Sequence, residues 1–369
     1  MTLVKKTIKG KVYYYFQDSV KLDGVYKVIN TCVCRADASQ HKLAEEKHSA
    51  LAIHLPKIFK LMSTTWKNQY KFDFFADSTD MDYLNSNLVL QSFLFTHLKK
   101  LLDPQELDDF EKILFVKYVY GTTAIEGNTL TEAEASKLLA SNLTPKNKTI
   151  NEIFEVGNYN HIKKYMNEYS GNITEKMILQ IHKLLMTGIC GYDGKLINAG
   201  EYRTSRAILL EIEHTPSPPE MISSQLKLLV AEYTSKLKDG IHPFEAASYF
   251  HQKFEEIHPF QDGNGRVGRE LLNYMLVKEG FPPIYITPEY RTEYLNSLVQ
   301  GNTDKYIPLF TFLLTRMGAT FSYFFTKTNL YSLFKNDNMR KIMNDMVGEE
   351  TYKTILAELE ETSKKIKLP

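Results

Sequence analysis

Apolar positions in the first 35 residues alternate as strands do. Val12-Tyr13-Tyr14-Tyr15-Phe16 and Tyr26-Lys27-Val28-Ile29-Asn30-Thr31-Cys32-Val33 are rich in β-branched and aromatic residues, and Gly10 and Asp23-Gly24 punctuate them. A small antiparallel meander is predicted. From about Gln40 the apolar spacing becomes helical, with breaks predicted at Pro56 and Pro104 and with Asp103 or Asp108 as helix caps. An apolar helix beginning near Phe115 should end at Gly127, and Thr131 with Glu134 forms a capping box for the next one. Helical spacing continues to the end except between Gly200 and Glu213, where a short hairpin with an arginine-rich tip is predicted. The pattern divides the chain into a β-rich element (1–36), a helical connector (37–115), a helical core (116–316) and a helical tail (317–369). The tail is read as a partner-binding or homodimer element.

Composition narrows the partners. In 369 residues, 43% hydrophobic and 24% charged, 45 Lys and Arg face 44 Asp and Glu. That balance leaves no global field to favour nucleic acid, so any anion site must be local. No apolar run approaches a membrane span, and the N-terminus lacks the apolar stretch of a signal peptide, so a cytoplasmic protein is expected. Cys32, Cys34 and Cys190 are an odd set in a long chain, read as free thiols.

The chemistry concentrates in twelve residues. A helix running from Ala246 to Ile257 must stop at Pro259, which pushes His258 out of the α region and frees its imidazole. Asp262-Gly263-Asn264-Gly265 then makes a tight turn, and a second helix opens at Arg266. A glycine turn feeding a helix N-terminus gathers unpaired N–H groups at the positive dipole end, which suits phosphate. Arg266 and Arg269 lie in that first turn, where two cations oppose the dipole unless a polyphosphate is bound. Asp262 supplies one hard carboxylate beside the turn, of the kind that holds Mg²⁺ together with substrate phosphates. Singly, each piece has an ordinary explanation as turn or surface; together they point to a phosphate-handling site.

The string His258-Pro-Phe-Gln-Asp262-Gly-Asn-Gly-Arg266-Val-Gly-Arg269 matches the Fic motif HxFx(D/E)GNGRxxR at every specified position. The resemblance spans roughly Val116 to Arg316. It implies a mainly α fold, a Fic helical core with a β-hairpin flap, here preceded by the N-terminal meander. It also implies a protein adenylyltransferase that moves AMP from Mg-ATP to a Ser, Thr or Tyr hydroxyl of a target protein, the chain itself included. In that reading His258 is the general base and Asp262 the Mg²⁺ ligand. Gly263, Asn264 and Gly265 surround the phosphates, Arg266 and Arg269 hold the β- and γ-phosphates, and Phe260 is a buried anchor. Gly200-Glu201-Tyr202-Arg203 and the run Ala207, Ile208, Leu209, Leu210 resemble the Fic flap beside the nucleotide. Arg291, Tyr294 and Asn302 fall where the family lines its nucleoside pocket. The string from Thr122 to Gly127 resembles the Fic inhibitory motif (S/T)xxxE(G/N), on a helix spanning 116–128. There the resemblance implies that Glu126 pairs with Arg266 and blocks the productive γ-phosphate pose. A Fic enzyme moving another phosphate-containing group or removing AMP, and a catalytically silent ATP-binding regulator, are the alternatives.

Overall fold

The computed structural model describes residues 2–22, 25–75, 81–93, 95–96, 104–207 and 215–327, with isolated positions beyond. Its contacts divide the chain into two compact units. The first comprises Met1–Lys71, Phe75–Leu107 and Gly318–Pro369, and the second Phe72–Phe74 with Asp108–Met317.

In the first unit the meander forms as its alternation predicts: β1 (Thr2–Ile8), β2 (Lys11–Leu22) and β3 (Val25–Arg35) make an antiparallel sheet in that order. A register shift opposite Tyr14 and Tyr15 leaves Val33 as an extra residue in β3, a bulge that bends β3 where it pairs with β2. Helix α1 (Gln40–Gln69) packs on β2 and β3. There His54 stacks against Phe16 at 5.8 Å and bonds the Thr31 hydroxyl at 3.0 Å. The break predicted at Pro56 does not occur, because α1 runs straight through it. Leu51, Leu55, Ile58 and Phe59 are buried on both sides of the proline. Their burial, about 1.5–3 kcal/mol per side chain, outweighs the roughly 3 kcal/mol that an interior proline costs. Helix α2 (Met81–Phe93) follows.

The second unit is helical. Pro104 begins α3 (Pro104–Ile125) instead of breaking a helix, since the first position needs no N–H partner. Asp108 therefore lies inside α3 and caps nothing, and Asp103 falls outside the described residues. There follow α4 (Glu132–Ser141), α5 (Ile150–Gly157), α6 (Tyr159–Glu168), α7 (Glu175–Met186), α8 (Ile222–Lys238), α9 (Pro243–Ile257), α10 (Asn264–Lys278), α11 (Arg291–Gly301) and α12 (Ile307–Lys327), of which the residues from Gly318 on belong to the first unit. Thr131 and Glu134 form the capping box of α4 as predicted, and Thr149 with Glu152 forms another at α5. Helix α9 is the centre of this unit, lying against α8, α10 and α11, with Phe244, Phe250 and Phe254 fully buried. Residues 201–207 form bends, and 208–214, which hold most of the predicted hairpin, lie outside the described residues. Among the described residues no helix is long and apolar enough to cross a membrane.

Candidate active site

The site forms where α9 ends and α10 begins. His258 caps α9 in the left-handed region (φ 50°, ψ 61°), a conformation that strains any residue with a Cβ. Arg203 holds it there. Its backbone N–H donates to the Pro259 carbonyl at 3.0 Å, its Nε to the His258 carbonyl at 2.8 Å, and its Nη2 to the Ile257 carbonyl at 3.3 Å. With the backbone fixed this way, the half-buried ring bonds the Glu255 carbonyl through one nitrogen and keeps the other for chemistry. Burial pushes its pKa down to about 4, so the imidazole is neutral at pH 7 and able to accept a proton.

The turn after His258 is equally determined. Gly263, at φ 81°, is the N-cap of α10, and a Cβ there would stand 2.6 Å from the Met186 sulfur. No side chain caps α10, so its first-turn N–H groups are left for an anion. The amide of Asn264, the first residue of α10, closes the loop, accepting from Phe260 N–H at 2.8 Å and donating to the Phe260 carbonyl at 2.9 Å. Phe260 is fully buried, as expected of an anchor, and His182 stacks on it at 3.7 Å. Because His182 Nδ1 accepts from Gly200 N–H at 2.8 Å, its proton sits on Nε2, which donates to the Asp262 carbonyl at 3.1 Å. Nothing in the sequence singles out His182, whose apolar neighbours on α7 read as core. Arg203 stood inside a recognised string, but its service to the His258 backbone has no sequence signal.

The arginines part company. Arg269 turns to α3, where its Nε donates to Thr122 Oγ1 at 2.8 Å and its Nη2 to the Thr122 carbonyl at 3.0 Å and Glu126 Oε1 at 2.6 Å. Glu126 thus pairs with Arg269, not with Arg266 as the resemblance led one to expect. Burial raises the Glu126 carboxyl, but Arg269, with Arg266 and Arg291 behind it, outweighs that and holds it below the usual carboxylate range. Glu255, also near Arg269, is pushed up to about 8 by burial and is protonated at pH 7. Among these two acids, Glu126 is the one that carries charge. Arg266 reaches back along its own helix to Asp262 Oδ1 and across to Glu155 Oε1, each at 3.1 Å. The two cations are three positions apart, but α10 presents them to different elements.

Arg291 Nε donates to the Ile125 carbonyl at 2.8 Å, securing the end of α3 that carries Glu126. Tyr294 is fully buried, its hydroxyl 2.7 Å from His251 Nε2, and Asn302 Oδ1 accepts from Gln252 Nε2 at 3.0 Å. Both are therefore anchored on α9. Ala207 is half-buried, and Ile208, Leu209 and Leu210 lie outside the described residues.

Asp262 is 49% exposed and its Oδ1 is taken by Arg266 and by Gly263 N–H. Among the described residues Oδ2 accepts no hydrogen bond, which leaves one hard oxygen on a half-exposed carboxylate beside the turn. No group of three metal-binding side chains occurs among the described residues. This donor set fits Mg²⁺ carried in by phosphates, since Mg²⁺ is commonly held by one or two carboxylates and the substrate.

A neutral imidazole, a helix N-terminus with no side-chain cap, a half-exposed carboxylate and two buried arginines thus come together on a helical scaffold. Residues 172–276 match the model of the Fic/DOC family. It is similar to "Protein adenylyltransferase Fic" of Nematostella vectensis, with 31% identity over 60% of this chain and 51% of that one. It is also similar to "Protein adenylyltransferase fic-1" of Caenorhabditis elegans, with 32% identity over 55% of this chain and 40% of that one. The chain thus spans about half, or less, of the length of these relatives. Among solved structures, Fic-1 (aa134–508) from C. elegans shares the fold with TM-score 0.55 and 23% identity, covering 78% of this chain and 88% of that one. A Fic family protein from Desulfovibrio desulfuricans G20 does so with TM-score 0.56 and 20% identity, covering 80% and 92%.

Proposed function

We propose that the chain is a protein adenylyltransferase that transfers AMP from Mg-ATP to a Ser, Thr or Tyr hydroxyl of a target protein and is held back by Glu126. The observation that carries this reading is His258: a neutral base fixed at a strained helix end, next to an uncapped helix N-terminus. With the triphosphate on the first turn of α10, His258 accepts the proton of the target hydroxyl as its oxygen attacks the α-phosphorus. The bond from the α-phosphorus to the bridging oxygen breaks, and pyrophosphate leaves with the electron pair. Bound phosphate beside the ring raises its proton affinity as the transfer proceeds. Asp262 would hold Mg²⁺, which when bound neutralises phosphate charge. Tyr294, Asn302 and the segment from Ala207 to Leu210 are assigned to the nucleotide on the resemblance alone.

Glu126 supports the restraint. It occupies Arg269 with a charge-assisted bond of 2.6 Å, and the same guanidinium cannot then grip a phosphate with that edge. The three cysteines are free thiols, which supports a reducing, cytoplasmic setting. The test is incubation of Glu126→Gly with a cell lysate and ATP labelled at the α- or the γ-phosphate. Protein label from α-labelled ATP alone supports AMP transfer, whereas label from γ-labelled ATP alone rejects it in favour of phosphoryl transfer.

A further inference from the structure

Arg266 is 2% exposed, and its guanidinium is shared between two carboxylates. Nη2 donates to Asp262 Oδ1 and Nη1 to Glu155 Oε1, each at 3.1 Å, while Nε is buried without a partner. A fork spent in this way is a strut, not a free phosphate grip. Its far end is anchored by Glu155 on α5, a helix N-terminal to the matched residues 172–276. Glu155 is itself held from behind, since Asn128 Nδ2 donates to the carboxylate at 2.8 Å and to the Glu152 carbonyl at 3.0 Å. Asn128 Oδ1 in turn accepts from Leu130 N–H at 3.0 Å. The chain Asn128–Glu155–Arg266–Asp262 therefore runs from the loop after Glu126 to the carboxylate at the turn.

We propose that Glu155 is a positioning residue for the metal-phosphate end of the site: it holds one arm of Arg266, so that Arg266 can bond only Oδ1 of Asp262 and leaves Oδ2 for a divalent cation. The proposal rests on the Mg-ATP reading above and names a residue outside the motif. A buried guanidinium that lost Glu155 would turn both N–H arms onto the nearest carboxylate, because the bidentate pair is the stronger one. The nearest carboxylate is Asp262, and both its oxygens would then be spent. Glu155 thus sets cation affinity without touching the cation. Groups that orient a metal ligand typically matter by about 10–100-fold in metal affinity.

The experiment measures ATP binding by calorimetry, with Mg²⁺ and again with EDTA, in Glu126→Gly and in that background carrying Glu155→Ala or Glu155→Gln. The ratio of the two affinities is the gain due to the cation. It should fall about tenfold in Glu155→Ala and about threefold in Glu155→Gln, which keeps an acceptor for Nη1, while binding in EDTA changes less than about threefold in both. Glu155→Gln keeps the buried volume and decides the matter if the Ala variant does not fold. An unchanged gain overturns the proposal, as does equal loss with and without Mg²⁺, which is the mark of a merely structural residue. Tighter binding in the variants would make Glu155 a second inhibitor and overturns it as well. A parent that binds ATP without any gain from Mg²⁺ overturns the Mg-ATP reading along with the proposal, whereas a normal gain with no protein labelling rejects only the transferase.

Discussion

His258 depends on two different kinds of support: Arg203 fixes its backbone by three carbonyls, and burial fixes its charge. The motif that names His258 was legible in the sequence, because proline and glycines at fixed spacing dictate a helix stop and a turn. The partners of Arg266 and Arg269 were not, because spacing tells which residues share a helix turn and not which element meets them. His258→Ala should lower transfer by about 10²- to 10⁴-fold with little change in ATP affinity, as befits a general base. Undiminished labelling would remove it from the mechanism. Because the free-enzyme pKa is depressed from the ordinary imidazole range to about 4, the competent neutral form persists as pH falls. The acid limb of kcat/KM in Glu126→Gly should therefore lie well below pH 6.5, the ordinary His value; half-loss near 6.5 would contradict the burial. Arg203→Lys should reduce kcat more than it raises KM for ATP, since a single ammonium cannot span the carbonyls that the guanidinium joins.

The helix ends were the best-read elements and the helix interiors the worst. The capping box of α4 and the stop at Gly127 were visible because Thr131 and Glu134 bond within three residues and because a glycine tolerates the left-handed turn that ends a helix, whereas the box of Thr149 with Glu152 was not read. Gly127, at φ 100°, turns the chain just after α3 ends at Ile125, and the carboxylate of Glu126 between them reaches Arg269. Pro56 misled because what carries α1 through it is burial against a distant sheet, to which local spacing is blind. The pairing of Glu126 with Arg269 makes a prediction at this scale. Glu126→Gly removes a charge-assisted bond worth about 2 kcal/mol and leaves Arg269 buried with less compensation. Melting in the absence of ATP should fall by about 5 °C at roughly 2–4 °C per kcal/mol for a unit of this size. An unchanged melting temperature would mean that the pair contributes nothing to the fold.

At the scale of the whole molecule the proposed function has the restraint and the ligand compete for one guanidinium, which would link nucleotide to stability. ATP binding the native state raises the melting temperature in proportion to its affinity. The rise on adding Mg-ATP should be larger in Glu126→Gly than in the wild type; an equal rise would separate Glu126 from the nucleotide. Among the described residues the cations of the site, Arg266 and Arg269, are paired with Glu155, Asp262 and Glu126. The central claim is transfer of AMP under restraint by Glu126, and it is tested most directly by self-labelling from α-labelled ATP in three proteins: wild type, Glu126→Gly, and Glu126→Gly with His258→Ala. The account predicts weak labelling in the first, strong labelling in the second and none above background in the third. Equal labelling of the first two, or signal surviving in the third, would contradict it.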